Sequence, residues 1–271
     1  MTPTHFDRRV IPLLLIHRGG VYKTTRFGEP RYIGDPLNAI SIFNEKRVDE
    51  IAVFDIDATP EGRGPNLDFV RDFASECFVP VCYGGGVSTI GHMHDVLSIG
   101  VEKLSIGSAQ GDSKLISEGA KRFGSQSIVV TLDVGIGPDG KPQIFTERGR
   151  KPTGLDPVTA ARRVADLGAG EIVVQSIERD GTMQGYDRAL IRSVAGAVSV
   201  PVVAAGGARD LDDIAGTMAE TGASAAIAGS LFVYVGRLKG VLITFPQEDE
   251  RSDALDAAMQ AAQGRTIGEW T

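Results

Sequence analysis

The chain has 271 residues, 42% of them hydrophobic and 23% charged, with a net charge of −7. That length suits one large α/β domain with a well-buried core. The acidic balance argues against a general nucleic-acid binder, yet leaves room for a local phosphate site built from backbone N–H groups.

No apolar run approaches membrane-spanning length and no secretory leader pattern opens the sequence. A cytoplasmic location without membrane attachment is therefore expected. Cys77 and Cys82 have no metal-ligand spacing; buried free thiols are expected, with no metal and no cofactor.

Taken in chain order, eight short apolar runs read as strands: 10–16, 51–56, 79–83, 103–106, 128–132, 172–174, 200–204 and 225–228. They are rich in Val and Ile and lack polar alternation, as in strands buried on both faces. Amphipathic stretches at 35–46, 67–77, 90–99, 114–123, 156–167, 188–197 and 210–221 read as the helices between them. Asp35-Pro36 and Asp156-Pro157 supply a capping carboxylate followed by a first-turn proline. This alternation predicts a closed (β/α)8 TIM barrel over residues 1–245. Residues 137–151, with Pro138-Asp139-Gly140 as a turn, predict a hairpin-like excursion over the top of the barrel. Residues 246–271 read as a C-terminal tail in which 252–263 forms a final outer helix.

The chain also repeats itself. Pro80-Val-Cys-Tyr-Gly-Gly-Gly86 returns as Pro201-Val-Val-Ala-Ala-Gly-Gly207, and Asp49-Glu50-Ile51 as Gly170-Glu171-Ile172, both at an offset of 121 residues. Gly107-Ser108 returns as Gly229-Ser230. A two-fold half-barrel repeat follows, each half carrying a Gly-rich turn and then a Gly-Ser turn. In such barrels chemistry sits at the C-terminal strand ends, where glycine lets backbone approach a ligand and helix N-termini attract anions. Gly86, Gly107 and Ser108 in one half, and Gly181, Gly207, Gly229 and Ser230 in the other, are candidate phosphate-binding residues. Asp180 and Thr182 cap the second-half turn and serve equally as turn formers. Two such sites imply a phosphorylated small molecule with an anionic group at each end.

Arg9-Val-Ile-Pro12, Gly19-Gly-Val-Tyr-Lys23, Gly34-Asp35-Pro36, Asp49-Glu50, Gly84-Gly-Gly86, Arg122-Phe-Gly-Ser-Gln126, Pro152-Thr-Gly154, Gly168-Ala-Gly-Glu171 and Asp180-Gly-Thr182 together resemble HisF. That family is the cyclase subunit of imidazole glycerol phosphate synthase, and the likeness runs in unbroken order from about Arg9 to about Phe232. The resemblance implies a glutaminase subunit docked at the N-terminal end of the barrel. Ammonia would pass through the barrel to a substrate at the C-terminal end. It also implies cyclisation by two aspartates that end strands 1 and 5. Asp133 keeps the second. Where the family reads Cys-Leu-Asp-Val, this chain reads Leu13-Leu14-Leu15-Ile16, placing Leu15 at the first. Loss of one partner of an acid–base pair costs about 10²–10⁴-fold. His17 is either a substitute base or an exposed loop histidine. Gly107 and Val233 replace an Asn and a His common in the family.

The same likeness makes Lys23 a phosphate contact and Arg9, Glu50, Lys103 and Glu171 a charged ammonia gate. A ring of ion pairs that plugs the barrel floor is the alternative reading of those four. Glu102 becomes a candidate glutaminase-docking residue, and Cys82 and Ser105 line the interior. The wording Leu13-Leu-Leu15, Val21-Tyr-Lys-Thr-Thr25, Arg31-Tyr-Ile-Gly-Asp-Pro-Leu-Asn-Ala39, Ile42-Phe-Asn-Glu-Lys46, Asp55-Ile-Asp-Ala58 and Lys239-Gly-Val-Leu-Ile243 is most similar to a glycosyl amidation-associated HisF-like subfamily. That likeness implies a heterodimer with a HisH-like glutaminase that feeds ammonia to an N-acetyl sugar amidotransferase of surface-polysaccharide synthesis. The alternatives are a working cyclase (a lyase) of histidine biosynthesis, and the related isomerase that opens a phosphoribosyl ring.

Overall fold

Buried runs without polar alternation must be covered on both faces, and closing the sheet on itself meets that requirement. In the computed structural model, which describes residues 8–107 and 113–268, the strands are β1 (Arg9–His17), β2 (Ile51–Asp55), β3 (Val81–Gly84), β4 (Lys103–Ile106), β5 (Ile128–Ile136), β6 (Glu171–Ser176), β7 (Val202–Ala205) and β8 (Ala225–Ala228). Each pairs in parallel with the next. β8 returns to β1, with Arg9 opposite Ala225 and Pro12 opposite Ala228, so the sheet closes into a (β/α)8 TIM barrel.

The helices among the described residues follow the strands in order: α1 (Pro36–Glu45), α2 (Leu67–Glu76), α3 (Ile90–Ile99), α4 (Ser113–Phe123), α5 (Pro157–Asp166), α6 (Arg188–Ala195), α7 (Leu211–Thr221) and α8 (Glu248–Gly268). Asp35 accepts a hydrogen bond from the Asn38 N–H at 2.9 Å, and Asp156 accepts one from Thr159 at 2.8 Å. Each cap contributes about 1 kcal/mol and fixes where its helix starts.

The core has two layers because side chains alternate along each strand. Along β1, Val10, Leu14 and Ile16 join the outer layer with Ile40, Phe43 and Phe73 of the helices. Ile11 and Leu13 face the bore with Ala52, Cys82, Val129, Val173 and Ala225.

Three excursions decorate the C-terminal strand ends. After β1, the strand Gly20–Lys23 runs antiparallel to it, Leu15 opposite Tyr22, and pairs in turn with Arg31–Gly34. After β5, Pro142–Thr146 turns back along the strand with Asp133 opposite Phe145, so the 137–151 segment is a hairpin that prolongs β5. After β8, Tyr234–Val235 pairs with Gly240–Val241.

The segment from 246 onward does more than trail the barrel. α8 packs against α7, Leu255 is buried, and the Arg251 guanidinium reaches Asp49 Oδ1 at 3.1 Å and the Pro246 carbonyl at 3.0 Å. It takes the place of the barrel's eighth helix. Both cysteines are free, and among the described residues no helix is long and apolar enough to cross a membrane.

Candidate active site and charged floor

Two connected pockets open at the C-terminal strand ends. The larger is a cavity of about 480 Å³ bordered by Asp133, Gly86, Gly107, Arg63, Arg148 and Phe27. The smaller, about 30 Å³, is bordered by Lys23, Asp180, Gly181, Gly207, Gly229 and Ser230. Leu13, Leu15, Thr24, Gln175 and Asp180 border both, so the pockets are two ends of one cleft. Of the candidate phosphate residues, Gly86 and Gly107 border the larger pocket, Lys23, Gly181, Gly207, Gly229 and Ser230 the smaller, and Asp180 both; Ser108 lies outside the described residues.

The glycines earn their places differently. A Cβ at Gly85 would stand 2.4 Å from the Asp55 carbonyl oxygen, and one at Gly206 would stand 2.6 Å from that of Ser176. Asp55 and Ser176 are themselves related by the 121-residue offset. Gly86 and Gly207, both at positive φ, likewise lie against the carbonyl oxygens of Arg63 and Gly185. Packing of backbone on backbone therefore requires these four. Gly107 differs, because a Cβ there would meet nothing within 4 Å.

Lys23 is drawn inward by strand alternation, with Val21 and Lys23 buried and Tyr22 on the other face. Its ammonium donates to the Leu13 carbonyl. Burial pulls the Lys23 pKa down to about 7 despite the opposing pull of Asp180. Asp180 accepts from Thr24 Oγ1 at 2.9 Å and from Gln175 Nε2 at 3.2 Å. Burial nonetheless holds Asp180 above the ordinary carboxylate range. Asp133, at the inward end of β5, is pushed up to about 7 by burial and then by the charge of Asp180. At neutral pH it is poised both to give and to accept a proton.

Leu15 borders both pockets, so the position implied for a second carboxylate is a hydrocarbon wall. β1 continues as far as His17, but His17 borders neither pocket. Its Nδ1 lies 2.6 Å from Asp57 Oδ1, and its ring packs edge-on against Tyr22. Burial works against the Asp57 charge, yet hydrogen bonds from the Arg18 N–H and from His17 outweigh it and lower its pKa. Val233 is buried and borders neither pocket.

At the opposite end Arg9, Glu50, Lys103 and Glu171, the candidate gate residues, form a closed ring of ion pairs. Arg9 bonds Glu50 through Nη1 and Glu171 through Nη2. Lys103 Nζ lies 2.8 Å from Glu50 and 3.1 Å from Glu171. Burial opposes the charge of Lys103, but Glu171 and Glu50 outweigh it and raise its pKa. Above the ring, burial and then Glu50 and Glu171 drive the Cys82 thiol well up, leaving it un-ionised and inert. Ser105 and Thr131 share a 2.7 Å hydrogen bond where the bore opens into the larger cavity. Glu102 is exposed at the same end as the ring, its Oε2 accepting from the Val81 N–H at 2.8 Å.

Sequence reasoning missed several cleft residues. Arg63 forms a two-pronged pair with Asp55, at 2.9 and 3.2 Å. Arg148 sits at positive φ beside Glu147 on the rim, and Gln175 points inward from β6. The strand-end rule alone could have found Gln175; the two arginines lie on loops without a positional signal.

A closed barrel built as two like halves, with one cleft across its C-terminal strand ends, places the chain in the class of half-barrel-repeat (β/α)8 proteins. A model of the family described as histidine biosynthesis protein matches residues 9–239, and the chain belongs to that family. It is 45% identical over 240 residues to a Pseudomonas aeruginosa protein provisionally described as imidazole glycerol phosphate synthase subunit hisF2, covering 88% of this chain and 96% of that one. It is 43% identical over 245 residues to a Leptospira borgpetersenii protein provisionally described as the HisF subunit, covering 90% and 96%. With the imidazole glycerol phosphate synthase subunit HisF of Alkaliphilus metalliredigens it shares 41% identity over 228 residues, 84% of this chain and 90% of the relative.

Proposed function

We propose that this barrel pairs with a HisH-like glutaminase and conducts ammonia from the Arg9–Glu50–Lys103–Glu171 ring to its C-terminal face. The ammonia then serves amidation of an N-acetyl sugar in surface-polysaccharide synthesis. One observation carries the reading: the charged floor is complete, whereas the cleft that holds Asp133 has Leu15 at the second carboxylate's position. Opposed charges closing a pore entrance can part with small motions, and Cys82, Ser105 and Thr131 are small groups between that floor and the cavity. The proton shuttle of a cyclase needs a second group across the ligand, and Leu15 can neither give nor take a proton. Cytoplasmic placement belongs to the same reading.

A second reading, the cyclase subunit of histidine biosynthesis, draws on Asp133 being held near 7, within working range of a general acid–base. Ammonium-driven cyclisation of the bis-phosphate substrate of HisF by the purified chain separates the two. No turnover by a folded sample is expected; a rate near that of a working cyclase overturns the sugar-amidation reading.

A further inference from the structure

The 121-residue repeat also relates side chains that do not match. It carries Gly64 onto Gly185, Ser88 onto Arg209 and His92 onto Asp213. His92 and Asp213 are each the third residue of a helix, α3 and α7. The capping side chains, Thr89 and Asp210, accept from their N–H groups at 3.0 and 2.7 Å. Both lie against a glycine. A Cβ on Gly64 would stand 2.9 Å from His92 Nε2, and one on Gly185 would stand 3.3 Å from Asp213 Oδ1. One scaffold thus holds a base in the first half and an acid in the second.

Their surroundings differ. Asp213 is buried, bonds Arg188 Nη2 and the Arg209 N–H at 3.2 Å each, and borders neither pocket. The repeat places Leu67 where Arg188 stands, so His92 lacks that partner, and it borders the larger cavity with Gly64, Gly86 and Ser88. His92 Nδ1 lies 3.1 Å from the Gly86 carbonyl oxygen, and 3.4 Å from both the Ser88 backbone nitrogen and its Oγ. A carbonyl only accepts, so the shortest contact puts a proton on Nδ1. Nε2 then carries a lone pair and has no hydrogen-bond partner among the described residues. One further proton turns Nε2 into a donor while the Gly86 bond is kept.

We propose that His92 binds an oxyanion at the wide end of the cleft as an imidazolium, taking up one proton as the anion arrives. The ligand class is a phosphoryl group or similar tetrahedral oxyanion seated where α3 begins, since a helix N-terminus attracts anions and a charged donor beside it strengthens the bond. Neither the floor ring nor Leu15 enters the argument, so the inference goes beyond both readings of function above. Of the charged groups that share the cavity, Asp55 and Arg63 bond each other, Glu147 and Arg148 lie on the rim, and Asp133 and Asp180 lie within the cleft. On α3 itself Asp95 bonds His94, and on α2 Asp68 bonds Arg71.

The test uses sulfate, which does not itself titrate near neutral pH. The full chain carries Lys23→Met and Asp133→Asn, which remove the two groups held at about 7. Histidine ring signals are followed by NMR against pH, and the His92 signal is assigned by its loss in His92→Gln. Saturating sulfate is expected to raise the His92 midpoint by about one pH unit, and sulfate affinity to fall about tenfold as pH rises through it. His17, bonded to Asp57, should not move. His92→Gln should flatten the pH dependence of affinity. Gly64→Ala keeps the histidine but fills the space beside Nε2, and should abolish the midpoint shift. Glucose 6-phosphate and inorganic phosphate then separate the sources. Tighter binding of the ester assigns the seat to a phosphomonoester, and equal binding assigns it to the free ion. A His92 midpoint that sulfate leaves in place, or a pH dependence that survives His92→Gln, overturns the inference.

Discussion

Lys23 and Gly229 occupy one another's space: a Cβ on Gly229 would stand 2.6 Å from the lysine Nζ. The glycine has an ordinary φ of −112, so its need for no side chain comes from the lysine rather than from backbone strain. Gly229→Ala is expected to push Lys23 from its seat and weaken binding of a bis-phosphate about tenfold by calorimetry. In the Lys23→Met background the same change should cost little further. Unchanged affinity in Gly229→Ala would mean that the lysine does not serve this pocket.

Leu15 faces both pockets within the cleft that holds Asp133. Leu15→Asp restores the carboxylate that the family pattern places there. It is expected to raise ammonium-driven cyclisation by about 10²-fold or more over the parent chain. No gain in a variant that still folds would show that the cleft has lost more than one acid.

The charged floor makes a stability statement independent of ammonia. Removing Lys103, whose Nζ serves both Glu50 and Glu171, leaves two buried carboxylates with Arg9 alone. Lys103→Met is expected to lower unfolding free energy by about 3 kcal/mol in urea titration. Adding Glu171→Gln should recover part of that loss, because one unpaired charge disappears.

Asp133 gives a pH signature. Its pKa is about 7 folded against an ordinary value of 3.8, so the folded chain keeps the proton longer than the unfolded one. The resulting stability is present in full below about pH 4, is lost as pH rises through the window to about 7, and is flat above it. Asp133→Asn, neutral throughout, should match the parent in stability at pH 4 and exceed it by about 2 kcal/mol at pH 8. Denaturant melts at the two pH values decide this, and equal gains at both would place the effect outside titration.

What could be read from the sequence was local or repeated. Asp35-Pro36 and Asp156-Pro157 announce helix starts through contacts three residues long. Bore and outer-layer residues announce themselves as runs of Val and Ile, and the 121-residue offset announces the half-barrels. Three things resisted. Gly20–Lys23 adds a strand because of its register with β1, Leu15 to Tyr22, which no apolar period encodes. Thr24 meets Asp180 across 156 positions of chain. α8 extends beyond the expected 252–263 because its anchors, Arg251 and Leu255, are buried one turn apart in an otherwise polar, Ala-rich stretch. The strand 1 leucine was legible at once, whereas the reason for the paired glycines was not: they fit against carbonyl oxygens on neighbouring strands and loops.

Asp180 borders both pockets, its charge raises Asp133, and it in turn is countered by Lys23. Protons at the two ends of the cleft are therefore not independent quantities. An anion arriving beside Lys23 would favour the charged ammonium and at the same time oppose the charge of Asp180, which borders the same pocket, so the balance of the two sets the direction in which Asp133 shifts. By reciprocity, whatever an anion there does to the proton on Asp133, that proton does to the anion's affinity. The cleft is thus one electrostatic unit rather than two: a charge placed at its narrow end is felt by the carboxyl at its wide end through the single shared residue Asp180.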